Sequence, residues 1–280
     1  MIMKNGVLLI NKPEGWTSRA VVNKVAKIYQ EKKVGHTGTL DPLATGLLIV
    51  CIGKYTKLVE SLTNKQKEYV AVMHLGLKTD TGDITGKVIE EKKVSLSDEE
   101  IKKAFLDFPR EYEQTVPIYS AVKIKGKKLY EYAREGQQVE LPKRKVVIEE
   151  LEFLKREGDR ITFRTVVSKG TYIRSLIEDI ASTLKTVATM EKLTRTRQGI
   201  YSLENCQDLE NITSQTPLLT LENLFTYPKV EIDEETLKRV KNGNKIFIEC
   251  SSPKILISYQ EQVIALYEKD GNSYRYLFGE

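Results

Sequence analysis

One carboxylate, Asp41, stands in a stretch built to hold it still: Gly35-His36-Thr37-Gly38-Thr39-Leu40-Asp41-Pro42-Leu43-Ala44-Thr45-Gly46. The stretch contains three glycines, three threonines, a proline and one of only two histidines in the chain. The apolar run Leu47-Leu48-Ile49-Val50-Cys51-Ile52 follows at once, so the composition predicts a tight loop feeding a buried strand. A carboxylate fixed in such a loop can add covalently to an electrophilic carbon or stabilise positive charge developing beside it. The plainer reading is a turn residue before Pro42, a common use of Asp-Pro.

Three further features carry potential chemistry, each with a plainer alternative. Tyr69 shares a strand face with Ala71, Met73 and Leu75. It is either a core aromatic or a platform at a site. Arg174 falls near the start of a predicted helix, where a cation opposes the helix dipole, so a specific anionic partner would account for it. The alternative is a tolerated surface arginine. From Ser120 to Lys145 the chain carries eight Lys or Arg against three Glu, a net +5 that equals the charge of the whole protein. Lys123, Lys127, Arg134 and Arg144 are among these cations, and Tyr119, Tyr130 and Tyr132 are interleaved. Basic charge beside aromatic rings suits an RNA backbone and unstacked bases, although a solvated hairpin has the same composition. Lys12 either meets phosphate or is a solvated turn lysine.

The elements that must position these residues follow from periodicity. Val7–Asn11 reads as a short strand stopped by Pro13 and Gly15. Thr17 or Ser18 caps a helix bearing Val21, Val22, Val25, Ile28 and Tyr29. A helix is expected over Thr56–Leu62, and a strand over Lys67–Leu75 with His74 on its opposite, structural face. Gly76–Gly86 is expected to be a hairpin-like connection. Ser97 and Glu100 form a capping box ahead of Ile101, Ala104 and Phe105. Val146–Leu154 and the alternating Ile161–Val167 flank a Gly158-Asp159 turn. Ile173, Leu176, Ile177, Ile180 and Leu184 mark the next helix. Residues 200–227 read as helix and connector. Beyond Tyr227-Pro228, a short helix over 234–242 precedes strands near Ile246–Glu249, Ile255–Tyr259, Val263–Tyr267 and Tyr274–Phe278.

Composition removes several classes. The 280 residues suffice for one large domain and a small one. No apolar run approaches membrane-spanning length, and the N-terminus lacks a signal-peptide pattern. Cys51, Cys206 and Cys250 are dispersed with no Cys-x-x-Cys, which fits a reducing cytoplasm better than disulfides or zinc. Gly53-Lys54-Tyr55-Thr56-Lys57 lacks phosphate-loop spacing, and Asp80 with Asp83 lacks calcium-loop spacing.

Taken together, several segments resemble the pseudouridine synthases, in particular the bacterial TruB branch acting on tRNA uridine 55. Asn11-Lys12-Pro13 with Gly15, Thr17 and Ser18 is similar to the first motif, and residues 35–46 to the signature loop. Lys67-Glu68-Tyr69 resembles the second motif, and Gly170-Thr171-Tyr172-Ile173-Arg174-Ser175-Leu176 the third. Leu193-Thr194-Arg195-Thr196-Arg197-Gln198-Gly199 resembles a later substrate-contacting turn. The ordered matches cover roughly residues 6–200. Lys185-Thr186-Val187-Ala188-Thr189-Met190 departs from the family's Gly-rich, His-containing stretch.

The resemblance implies an α+β fold with a mixed, mainly antiparallel central sheet flanked by helices, plus a small β-rich PUA-like module. It divides the chain into a catalytic domain over 1–227, with an RNA-clamping insertion near 120–145, and a C-terminal domain over 228–280. It implies an enzyme that flips a uridine of the tRNA T-arm and isomerises it without cofactor or metal. Asp41 is then the nucleophile, favoured in its charged form by an arginine partner, Arg174. Tyr69 stacks on the uracil, Tyr172 and Leu193 wall the pocket, Lys57 is a weaker polar candidate, and His36 fills the space the base vacates. A cytoplasmic monomer with no membrane association and no obligatory protein partner is expected. The competing reading is a catalytically silent RNA-binding or tRNA-folding protein.

Overall fold

The structure, a computed structural model, describes residues 4–279. The signal-peptide reading of the N-terminus rests partly on residues 1–3, which lie outside the described residues. Strand β1 (Gly6–Lys12) leads to helix α1 (Ser18–Tyr29), β2 (Val34–His36) and β3 (Thr45–Ile52). A 3-10 turn, Gly53–Leu58, runs into the one-turn helix α2 (Val59–Thr63), where a single helix was expected. Next come β4 (Lys67–Leu75) and a hairpin of β5 (Leu77–Thr79) with β6 (Val88–Glu91). Helix α3 (Asp98–Asp107) carries the Ser97–Glu100 capping box with both reciprocal hydrogen bonds. Strand β7 (Glu111–Thr115) precedes an excursion holding β8 (Lys123–Ile124), β9 (Lys127–Lys128) and α4 (Leu129–Arg134). The chain returns as β10 (Lys143–Glu157), β11 (Arg160–Val167), α5 (Ile173–Thr183) and β12 (Ala188–Gln198).

After β12 the chain differs from the expected helix and connector. It forms two short strands, β13 (Tyr201–Ser202) and β14 (Gln207–Asp208), and one turn of helix, α6 (Leu221–Leu224). Edge pairing with β12 and β1 overrides local preference there. The remainder is β15 (Lys229–Glu231), α7 (Glu234–Lys241), β16 (Lys254–Tyr259), β17 (Gln262–Asp270) and β18 (Ser273–Gly279). Ile246–Glu249 is not a strand: only Ile246 makes a bridge, to Tyr274, and Phe247 is exposed.

The central sheet runs β14-β1-β3-β12-β4-β11-β10-β7. The β1–β14 and β3–β12 pairs are parallel and the other neighbours antiparallel, so the sheet is mixed and mainly antiparallel. The continuous apolar run of β3 has a simple cause. Leu48, Val50 and Ile52 face a core shared with α1, α3 and α5, while Leu47, Ile49 and Cys51 face a second core. That second core includes Leu256, Val263, Leu266 and Phe278 of the C-terminal four-stranded sheet β15-β16-β17-β18. The strand is buried on both faces, so alternation vanishes from its sequence. In β4 alternation survives: Tyr69, Ala71, Met73 and Leu75 are buried, and His74 lies opposite, 3.3 Å from Glu191.

Candidate active site

Asp41 sits in the loop between β2 and β3, and Arg174 in the first turn of α5, 133 residues later. The Arg174 Nε donates to Asp41 Oδ2 at 3.0 Å and Nη2 to Oδ1 at 3.3 Å, a two-pronged grip of guanidinium on carboxylate. Arg174 is only 5% exposed, whereas the Asp41 side chain is 32% exposed. Its remaining donors go to backbone: Nη1 to Thr81 O at 2.8 Å and Nη2 to Tyr119 O at 2.9 Å. The arginine at a helix start therefore has the anionic partner its position called for. The buried cation is fixed on four acceptors, while the carboxylate keeps a face open to solvent.

The loop that carries Asp41 is clamped from beneath. Ser18 Oγ accepts from Leu40 N at 2.9 Å and donates to Leu40 O at 3.1 Å, leaving Thr17 to cap α1. Gly15 N donates to Pro42 O, and Ala44 N to Asp41 O. Lys12 overturns both readings offered for it. It is fully buried, and its ammonium donates to Pro13 O, Trp16 O and Pro42 O at 2.9, 2.6 and 3.2 Å. Arg195 is likewise fully buried; Nε donates to Leu47 O at 2.7 Å and Nη2 to Gly38 O at 3.1 Å, bracketing the loop. Gly46 makes this possible: at φ +99° it lies so near β12 that a Cβ would come within 2.3 Å of Arg195 O.

Burial pushes the Lys12 ammonium down from 10.5 to about 8, against the opposing pull of Asp41 and Glu14. The folded chain then releases this proton near pH 8, while the unfolded chain keeps it to about 10.5. Between those values the unfolded state binds more protons, so this group makes stability rise with pH. Urea unfolding at pH 7.5, 9 and 10 should show wild type gaining stability relative to Lys12→Met across that window. A difference that does not change with pH would contradict the buried ammonium.

Of the other candidate residues, Tyr69 and Leu193 share an apolar cluster with the Asp41 loop, and Tyr172 stands two residues before Arg174. Leu40 and Ala44 of the loop, Tyr69, Ile173 and Leu193 share one apolar cluster. Tyr69 is 6% exposed and pairs across β12 with Arg195, while Leu193 pairs with Ala71. Thr45 and Thr194 hydroxyls meet at 2.9 Å where β3 joins β12, next to Leu193. Tyr172 is the residue before α5, half-buried. His36 ends β2; its Nδ1 accepts from Gly38 N at 3.3 Å, leaving Nε2 to carry the proton of the neutral ring. Burial, then Arg19 and Arg195, lower its pKa. Lys57 is exposed on the 3-10 turn, and its side chain makes no hydrogen bond or ion pair among the described residues.

The basic excursion is closed at its base by Val116 N donating to Pro142 O. Lys123 and Arg134 are exposed, and Arg134 stacks on the Tyr130 ring at 5.3 Å. Lys127 is occupied: it pairs with Glu135, bonds Gln137 at 3.2 Å and lies over Tyr132 at 4.7 Å. Arg144 belongs to the central sheet, opposite Gln114 and beside Gly170. Lys12, Ser18, Gln114 and Arg195 carry much of this architecture but were not singled out for it by sequence. Apart from the Tyr112 hydroxyl bonded by Gln114, their partners are backbone atoms, which leave no signature in side-chain spacing.

An arginine-gripped aspartate on a loop of a mixed sheet, with Tyr69 in the apolar cluster beneath that loop and a basic excursion tied to Arg174 through Tyr119 O, fits an enzyme acting on RNA. The chain belongs to the TruB family of pseudouridylate synthases, whose N-terminal-domain model matches residues 26–173. It is a pseudouridine synthase, an isomerase. The tRNA pseudouridine synthase B of Caldicellulosiruptor saccharolyticus is 41% identical, covering 98% of this chain and 97% of the relative. That of Geobacillus thermodenitrificans is 42% identical, covering 95% of each. Among solved structures, a Cbf5-Nop10-Gar1 complex matches with TM-score 0.70 and 26% identity over 98% of this chain and 84% of that one. An H/ACA RNP bound to a substrate RNA containing 2'-deoxyuridine matches with TM-score 0.69 and 25% identity, over 97% and 83%.

Proposed function

We propose that this chain isomerises uridine 55 in the T-loop of tRNA to pseudouridine, with Asp41 as the reacting carboxylate. The observation that carries this reading is the Asp41–Arg174 pair, in which a buried arginine orients a carboxylate that remains open on one side. The N1–C1′ bond of the uridine breaks, the uracil turns while bound, and C5 bonds to C1′. The C5 proton leaves and N1 ends protonated, so no redox partner or group donor enters the balance. Asp41 serves either by adding to the nucleotide or by holding positive charge at C1′, and both need its charge fixed in place.

Tyr69 stacks on the extruded uracil and takes part in proton transfer from C5, with Leu193 and Tyr172 as walls. Extrusion costs a few kcal/mol of stacking. His36 offsets part of that by filling the vacated space, and burial with Arg19 and Arg195 nearby favours its neutral ring. Residues 1–227 act as the catalytic domain and 228–280 as a PUA-like domain, in a cytoplasmic monomer; among the described residues no helix is long and apolar enough to cross a membrane. Tritium release from unmodified tRNA bearing 5-tritiated uridine tests the reading. Stoichiometric release without added cofactor supports it, and no release contradicts it.

The excursion closes over the T-arm and supplies phosphate contacts. Lys123→Gln and Arg134→Gln should each weaken tRNA binding and flatten the slope of log affinity against log salt by about 0.7–0.9. Lys127→Gln should do less, because its ammonium already pairs with Glu135. Filter binding from low to high salt measures the slopes. Equal slopes for all three variants and wild type would remove the excursion from the interface.

A further inference from the structure

Gln114, near the end of β7, is 1% exposed and has no part in the chemistry above. Its amide is used at both ends on one residue. Oε1 accepts from Tyr172 N at 2.8 Å, and Nε2 donates to Tyr172 O at 3.2 Å. Nε2 also donates to the Tyr112 hydroxyl at 2.9 Å, which donates in turn to Asp179 Oδ2 at 2.8 Å on α5. Tyr172 precedes the first turn of α5 and offers that helix no side-chain cap. Its carbonyl is the first acceptor of the helix, taking Leu176 N at 3.0 Å. The start of α5 is therefore placed from outside, by a glutamine on the neighbouring strand.

Two residues beyond Tyr172 stands Arg174. Ser175 Oγ donates to Thr115 O at 2.9 Å, a second stitch between the same strand and the same helical turn. Four residues after Thr115 the chain returns to Arg174, through Tyr119 O. The root of the basic excursion and the first turn of α5 are thus one hydrogen-bonded unit, with the Gln114 amide at its centre.

We propose that Gln114 is a positioning residue for the reaction: it fixes the backbone of Tyr172 and thereby the direction in which Arg174 leaves α5 to grip Asp41. The proposal rests on Asp41 being the reacting carboxylate. Amide chemistry is required, because the position needs an acceptor for Tyr172 N and donors for Tyr172 O and Tyr112. A misplacement near 1 Å at reacting groups costs on the order of 10²-fold in rate, so a small turn of Arg174 is enough to be read.

Two variants test it. Gln114→Met fills similar volume without hydrogen bonds; kcat should fall about 10-fold or more while KM for tRNA stays within about 3-fold. Gln114→Glu separates positioning from packing by its pH dependence. An ionised carboxylate can only accept, whereas the protonated acid keeps one donor and one acceptor. At a position 1% exposed, burial raises the carboxyl's pKa toward neutrality, so the kcat of this variant relative to wild type should rise as pH falls from 8 to 6, about 3-fold or more. A ratio that does not change with pH, or Gln114→Met with wild-type kcat, overturns the proposal; if Gln114→Met does not fold, the Gln114→Glu ratio decides alone. Asp41→Asn is run alongside: wild-type turnover there would sink the reading of Asp41 instead, independently of Gln114.

Discussion

Asp41→Asn is expected to reduce turnover by roughly 10⁴-fold or more while tRNA affinity stays within a few-fold of wild type. The substitution is nearly isosteric. Asparagine cannot act as a carboxylate nucleophile, and it carries no charge to set against a developing cation. The loop itself should persist. Its hydrogen bonds to Ser18, Gly15 and Ala44, and to the Lys12 and Arg195 side chains, run through backbone atoms that asparagine leaves unchanged. Tritium release under single-turnover conditions and filter binding measure the two effects separately. Turnover within tenfold of wild type would remove Asp41 from the chemistry.

Arg174→Lys is expected to cost about 10²–10³-fold in kcat, the range for losing one preorganised electrostatic group. Lysine keeps the charge but not the fork. One ammonium cannot reproduce the grip on both Asp41 oxygens together with bonds to Thr81 O and Tyr119 O. Losing the hydrogen bonds to these two half-buried carbonyls costs about 0.5–1.5 kcal/mol each, so thermal stability should fall as well. The two effects separate in the measurement: melting temperature reports the carbonyls, and kcat at a temperature where the variant is fully folded reports Asp41. A folded variant with wild-type kcat would mean that the pair is structural only.

The parts of this arrangement legible in the sequence are those written in side-chain periodicity or local capping. The limits of β4, the Ser97 capping box, the Gly158-Asp159 turn and the apolar stripe of α5 all follow from spacing. Arg174 was legible for a different reason, as a cation placed against a helix dipole. Lys12 was not. A charged residue beside proline and glycine reads as solvent-exposed, and the three carbonyls that receive its ammonium are invisible to any pattern of side chains. Ser18, Arg195 and Gln114 share that property. Ile246–Glu249 failed in the opposite direction: strand-like letters found no neighbouring backbone beyond one bridge. The Lys143–Lys145 end of the basic stretch has the composition of its surface neighbours, yet it pairs with β7 in the central sheet.

The most direct test maps pseudouridine at nucleotide resolution in unmodified tRNA after incubation with wild type and with Asp41→Asn, without added cofactor. The expected result is modification at uridine 55 by wild type and none by the variant. Modification at another position, or at uridine 55 by both proteins at the same rate, would contradict the assignment of an arginine-held Asp41 to this reaction.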